Sequence, residues 1–167
     1  MDSVRQYIFQ FPEHWIHIRP LAKALALSPT TVSTRVASLL RKGLLQEQRT
    51  GNLLQVRGNL DEPRFIQEKR VFNLESIYSS GLFAHLARAY PTETIVLFGS
   101  YSRGEDLSGS DIDIAVFSSE ERNISLHAYE DSLKRTINLL AIDKRTVSRS
   151  FLTNVLNGIV LQGVVTI

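Results

Sequence analysis

The spacing of hydrophobic positions along this chain alternates between helical and extended stretches. Leu21 to Leu27 is an apolar-rich helical segment, and Ser28-Pro29 then supplies an N-cap and a proline suited to the first helical position. A second helix is predicted from Thr30 to about Lys42, with Gly43 as its stop. Val32, Val36, Leu39 and Leu40 form one buried stripe on it, so Thr30, Thr31, Thr34, Ser38 and Arg41 project outward and Arg35 lies at the flank. Leu44 to Arg49 and Leu53 to Arg57, separated by Thr50-Gly51-Asn52, read as a hairpin. Asp61 to Tyr90 is helical again with a break at Ser79-Ser80-Gly81. Its apolar residues, among them Phe65, Phe72, Ile77 and Leu86, are too widely spread for one stripe and need cover on more than one side. After Pro91 the pattern turns to strands at Ile95–Phe98, Asp111–Phe117 and Thr136–Ile142, a helix from Ser125 to Arg135, and an apolar ending at Gly158–Leu161.

The chemistry concentrates where the first of these later strands stops. Ile95-Val96-Leu97-Phe98 runs into Gly99-Ser100, where glycine lets the backbone approach a ligand. Ser100 is expected to cap a short helix through Tyr101, Ser102 and Arg103, directing free N–H groups at an anionic phosphate, with Arg103 nearby as a cation. In the following strand Ile112, Ile114 and Val116 share one face, while Asp111 and Asp113 share the other. Two carboxylates side by side repel each other, and a cation such as Mg²⁺ between them relieves that repulsion.

The segment GSYSRGEDLSGSDIDIAVF, residues 99–117, resembles the signature of the minimal nucleotidyltransferases within the DNA polymerase β superfamily. Arg103-Gly104 and Ser110 fit that pattern too, and the resemblance covers roughly the last half of the chain. It implies that Gly99 and Ser100, with Arg103 and Ser110, hold a nucleoside triphosphate such as ATP, and that Asp111 and Asp113 bind Mg²⁺. An acceptor hydroxyl would then attack the α-phosphorus in line, with pyrophosphate leaving. Relatives by resemblance include antitoxins that transfer AMP to a tyrosine of a partner toxin, and enzymes that nucleotidylate small molecules.

The family pattern places a third carboxylate on the next strand, and this chain has Asn138 there. An amide can ligate metal through its oxygen, but it brings no negative charge and bridges metals poorly. Asn138 is thus either a weakened metal ligand or the mark of a degenerate site. Asp143 is a poor substitute, being five residues on with the opposite strand parity, and Glu130 and Asp131 are expected on the exposed face of the preceding helix. The rival to a transferase is a transcription regulator whose nucleotidyltransferase-like domain only senses a nucleotide or a partner.

Helix, turn, helix and hairpin in that order resemble a winged helix-turn-helix domain. The resemblance implies a second helix in the major groove and a hairpin along the backbone, with Thr30, Thr31, Thr34, Arg35, Arg41 and Arg49 as candidate contacts to double-stranded DNA. Charge agrees. Residues 1–58 carry a net +5, residues 91–167 a net −3 and residues 59–90 none, an asymmetry that the whole-chain value of +2 conceals. The connector 59–90 is expected to pack between domains or to form a homodimer interface, which suits paired half-sites. The expected architecture is therefore α+β: a winged helix-turn-helix over 1–58, a helical linker over 59–90, and a nucleotidyltransferase-like mixed β-sheet flanked by helices over 91–167.

At 167 residues and 43% hydrophobic, the chain can bury two modest cores. It has no apolar run long enough to span a bilayer, its first ten residues lack the order of a signal peptide, and it has no cysteine for disulfides or thiolate metal sites. A cytoplasmic location is the expectation. His14 and His17, spaced three apart without further ligands, read as ordinary contacts rather than a metal pair, and His127 likewise.

Overall fold

The computed structural model describes residues 2–51, 53–120 and 122–165. It divides into two compact units, Met1–Lys69 and Arg70–Ile167. The division falls inside one helix, within the stretch 59–90 that the sequence sets apart as a connector.

The first unit contains α1 (Ser3–Gln10), β1 (Ile16–His17), α2 (Ile18–Ala24), α3 (Pro29–Arg41), β2 (Leu45–Thr50) and β3 (Leu53–Gly58). It also takes the beginning of α4 (Pro63–Ser79). The hydrophobic pattern alone does not predict α1. Asp2 starts it by accepting a hydrogen bond from the Val4 amide at 3.1 Å, and Val4, Ile8 and Phe9 are its buried face. α2 begins before the predicted Leu21 because Pro20 falls in its first turn, where a missing N–H costs nothing. α3 starts as expected: Ser28 accepts from the Thr31 amide and Pro29 is the first helical residue. Val32, Val36 and Leu39 are its buried face. β1, β3 and β2 form an antiparallel sheet in that order, with Arg49 opposite Leu54 and Thr50 opposite Leu53 at the hairpin end. The expected turn residue Asn52 lies outside the described residues.

The second unit continues α4 and adds α5 (Leu82–Ala89), β4 (Thr94–Phe98), α6 (Gly99–Arg103), β5 (Ile112–Phe117), α7 (His127–Leu133), β6 (Ile137–Ile142), α8 (Arg149–Leu156) and β7 (Ile159–Gln162). α4 and α5 meet at the predicted break, where Gly81 adopts φ +81°. The sheet order is β6-β5-β4-β7; β5 and β6 are parallel, and β4 runs antiparallel to both β5 and β7. A parallel neighbour requires a crossover, and α7 supplies it. On one sheet face Ile95, Leu97, Ile112, Ile114, Val116 and Ile137 join Ile77, Leu82, Leu86 and Tyr90 in a core, so α5 is part of this fold. On the other face Val96, Phe98, Ala115 and Ile142 pack with Val155 and Phe151 of α8, the Phe98 and Phe151 rings meeting edge to face at 5.7 Å. The hydrophobic pattern alone does not predict α8; Ser148 caps it by accepting from the Phe151 amide. The mixed α+β class is as expected. Among the described residues no helix is long and apolar enough to cross a membrane.

Gly158 links α8 to β7 against β4. A Cβ there would stand 2.4 Å from the Leu97 carbonyl oxygen and 2.9 Å from Val96 Cγ1, leaving room for hydrogen only. Gly158→Ala should therefore destabilise the protein by about 1–3 kcal/mol, the usual cost of overpacking. Urea denaturation measures it, and an unchanged midpoint would show that β4 and β7 part without cost.

Candidate functional site

Three sequence positions converge because of strand register. Phe98 pairs with Asp113 across β4 and β5, and Asp113 pairs with Asn138 across β5 and β6. Asp111, just before β5, shares the parity of Asp113, so both carboxylates emerge on the face of Ala115, next to the turn after β4. Asp111 is exposed and Asp113 half-buried. The Asn138 side-chain nitrogen donates to Asp113 Oδ1 at 3.0 Å and to Asp111 Oδ2 at 3.2 Å. An amide oxygen at that place would face two anionic oxygens, so electrostatics demands the nitrogen. As a metal ligand through its oxygen, Asn138 would first have to give up both hydrogen bonds.

The turn is built around the same carboxylate. Gly99 has φ +74°, and a Cβ on it would fall 2.4 Å from Asp113 Oδ2. Glycine is needed for the backbone angle and for the close approach alike. Ser100 does not cap the short helix. α6 already begins at Gly99, with Phe98 in the cap position and no side-chain cap, and Ser100 sits within the helix, its carbonyl accepting from the Glu105 amide at 3.0 Å. Ser102, a buried residue, donates to the Gly99 carbonyl at 2.8 Å and fixes the turn.

Arg103 pairs with Glu105 at 2.6 Å, both side chains about half exposed, so its charge is locally balanced and screened by solvent. The Ser110 hydroxyl accepts from the Leu107 amide at 2.9 Å and closes the turn ahead of Asp111. Glu130, expected on an exposed helix face, instead accepts from the Ile137 amide at 3.0 Å and contacts His127 at 3.1 Å, ending the free edge of β6 one residue from Asn138. Asp131 is exposed as expected. Asp143 lies just beyond the far end of β6, where Arg145 holds its carboxyl down to about 2. Tyr101, next to the turn, is buried, and burial followed by the nearby Asp106 charge pushes its hydroxyl well above the usual tyrosine range, so the phenol stays neutral.

Among the described residues no three His, Cys, Asp or Glu side chains converge as a metal cage. The oxygens of Asp111 and Asp113 suit one hard divalent cation whose remaining ligands come from phosphate and water. They do not suit a second cation bridged by a third carboxylate, since Asn138 turns N–H groups toward the pair.

Residues 81–155 match the family model of the nucleotidyltransferase domain. No curated protein matches the chain. The matched segment is just under half of the chain, begins at Gly81 in the break before α5 and contains Gly99, Ser100, Arg103, Ser110, Asp111, Asp113 and Asn138. Nucleotidyltransferase domains typically use divalent metals, in keeping with the Asp111–Asp113 pair.

In the first unit, α3 exposes Thr30, Ser33, Thr34, Ala37 and Arg41, and Arg49 is exposed on β2. Thr31 is half-buried, its hydroxyl bonded to Ser28 Oγ at 2.8 Å, and the Thr34 hydroxyl donates back to the Thr30 carbonyl. Arg35 is committed elsewhere: its guanidinium donates to Asp2 Oδ1 at 2.9 Å and to Ser3 Oγ at 3.1 Å, tying α3 to the start of α1. Ser33 and Ala37 escaped the sequence reading, although their spacing from Thr30 and Thr34 places them on the same helix face. His17 bonds the Leu54 carbonyl and Gln55, and His14 stacks on Phe11; both make structural contacts.

Gly99→Ala should destabilise the protein by about 1–2 kcal/mol through the left-handed backbone angle alone, and should also displace Asp113. Chemical denaturation checks the first effect, and the shift of the Asp113 amide resonance checks the second.

Proposed function

We propose that this chain is a DNA-binding regulator whose nucleotidyltransferase domain binds a nucleoside triphosphate, ATP by preference, together with Mg²⁺. The observation that carries this reading is the Asn138 side-chain nitrogen lying between Asp111 and Asp113. The carboxylate pair beside the Gly99 turn supports nucleotide binding with one cation. In this reading Gly99 and Ser100 approach the phosphates, Arg103 leaves Glu105 to meet them, and Asp111 with Asp113 hold the metal. Ser110 acts by closing the turn before Asp111. Magnesium bound there would neutralise phosphate charge. Asn138 cannot accept a proton from an attacking hydroxyl and adds no negative charge, which favours recognition of the nucleotide over its transfer.

The family match supports a second reading, transfer of AMP from ATP to an acceptor hydroxyl. There the acceptor oxygen bonds to the α-phosphorus, the bond to pyrophosphate breaks, and the hydroxyl proton passes to solvent. A tyrosine on a partner toxin is one such acceptor.

DNA binding is assigned to residues 1–58 as a winged helix-turn-helix. The order of α2, α3 and the β2–β3 hairpin supports it, as does the net +5 charge. Thr30, Thr34 and Arg41 are then groove contacts, with Arg49 on the backbone. Arg35 and Thr31 serve the fold of the unit instead. The chain would act as a homodimer on paired half-sites, from a cytoplasmic location.

Duplex DNA affinity should fall with salt by a slope of about −0.9 in log K per phosphate contact. Arg49→Ala should weaken all sequences alike, while Thr34→Ala should change sequence preference. Salt-titrated fluorescence anisotropy checks this, and salt-independent affinity would sink the DNA assignment. Mg²⁺ should strengthen ATP binding in the wild type but not in Asp111→Asn, as read by calorimetric titration.

The two readings separate in single-turnover assays of wild type, Asn138→Asp and Asn138→Ala. A latent transferase should gain roughly a hundredfold in Asn138→Asp, equivalent to about 3 kcal/mol. A regulator that only binds nucleotide should show no transfer in any of the three.

A further inference from the structure

A polar cluster lies buried in the second unit at the base of the loop that carries Asp111. Its members come from three distant parts of the sequence. Asn73 is on α4, Asp106 is in the loop between α6 and β5, and Arg135 stands just before β6; they are 1%, 1% and 7% exposed. The Asn73 side-chain nitrogen donates to the Tyr101 carbonyl at 2.9 Å and to Asp106 Oδ1 at 2.6 Å. Arg135 places Nη2 3.5 Å from Asp106 Oδ2 and donates through Nη1 to the Ser108 carbonyl at 2.7 Å.

Stability alone is a weak account of such a cluster. Removing an ion pair from water costs several kcal/mol per ion, and well-packed apolar residues of like volume often do as well or better. What apolar residues lack is direction. Hydrogen bonds from Asn73 and Arg135 fix the Tyr101, Asp106 and Ser108 positions, and so the whole path of the chain from the Gly99 turn to Asp111. Arg135 also abuts the contact that joins the two parallel strands, where the Ile112 amide donates to the Thr136 carbonyl at 2.8 Å. Asp111 lies one residue before that contact on its strand, and Asn138 two residues after it on the other.

We propose that Asn73, Asp106 and Arg135 are positioning residues that set Asp111 within hydrogen-bond reach of Asn138, and thereby shape the cation and phosphate site. The consequence for nucleotide affinity rests on the nucleotide-binding reading above; the geometric claim does not. Neither Asp106 nor Arg135 touches the nucleotide in this arrangement. Their effect passes through the loop and the β5–β6 register.

The full-length chain, labelled with ¹⁵N, tests this without any ligand. The Asn138 side-chain NH₂, held by two carboxylates, reports the geometry through its solvent exchange. Asp106→Asn, and the paired apolar replacement Asp106→Leu with Arg135→Met, should each speed that exchange at least tenfold, with far-UV circular dichroism preserved. Both should weaken ATP·Mg²⁺ binding at least tenfold by calorimetry. Arg135→Lys, which keeps the charge, should fall between them and the wild type. Arg145→Gln at the far end of β6 should change neither measurement. A folded Asp106→Asn or apolar pair with wild-type Asn138 exchange would overturn the proposal and leave the cluster a purely stabilising one. Were both to unfold, Arg135→Lys would decide by the same exchange measurement. Faster Asn138 exchange in a protein whose wild type binds no ATP·Mg²⁺ would uphold the positioning role and sink the nucleotide reading instead.

Discussion

The structure of the second unit is organised around the repulsion between Asp111 and Asp113. Both carboxylates lie within hydrogen-bond distance of one nitrogen and, as like charges, oppose each other. Alternation along β5 forces both onto one face, so the fold must compensate nearby. Asn138 does so with one nitrogen shared between them at 3.0 and 3.2 Å. That contact requires β6 to lie parallel to β5 with Asn138 opposite Asp113, which requires the α7 crossover. Gly99 is constrained from the other side, since only a residue without Cβ fits against the Asp113 carboxylate.

The first unit answers a different demand, that of keeping a basic surface while folding around a small core. Positive charge on α3 and the hairpin sits at the exposed positions Arg41, Lys42 and Arg49. Arg35 is drawn inward by Asp2, and Arg57 lies over the Trp15 ring at 4.7 Å while donating to Gln46. Part of the unit's basic composition therefore holds elements together, and a count of charges overstates what is available to a polyanion. A half-buried pair such as Arg35–Asp2 contributes modestly to stability, but it fixes where α1 begins relative to α3.

Local rules made much of this legible in the sequence. Period-two alternation placed Asp111 and Asp113 together, the apolar run at 137–142 was recognisable as a strand, and Ser28-Pro29 marked the start of α3. What escaped depends on contacts remote in sequence or on competition between local signals. Ser100 looks like a cap, yet the helix already includes Gly99, and Phe98 in the cap position offers no side-chain cap. Arg35 sits at the edge of an apolar stripe, and nothing local foretells that Asp2 will claim it. Glu130 reads as surface charge until the β6 edge presents the Ile137 amide to it. The cluster of Asn73, Asp106 and Arg135 joins residues 33 and 29 positions apart, beyond the reach of any periodicity.

Asn138 itself changes the sign of the charge balance at the carboxylate pair. A carboxylate at 138 would bring a third negative charge against Asp111 and Asp113, and without a cation the site would be strained by mutual repulsion. The amide reverses the sign of that contact, because its N–H groups attract what a carboxylate would repel, and a hydrogen bond to a charged group contributes about 1.5–3 kcal/mol. The metal-free site is thereby stable by its own contacts, and any cation must compete with Asn138 for the same oxygens. Charged phosphates favour the cation in that competition, so metal and nucleotide would arrive together.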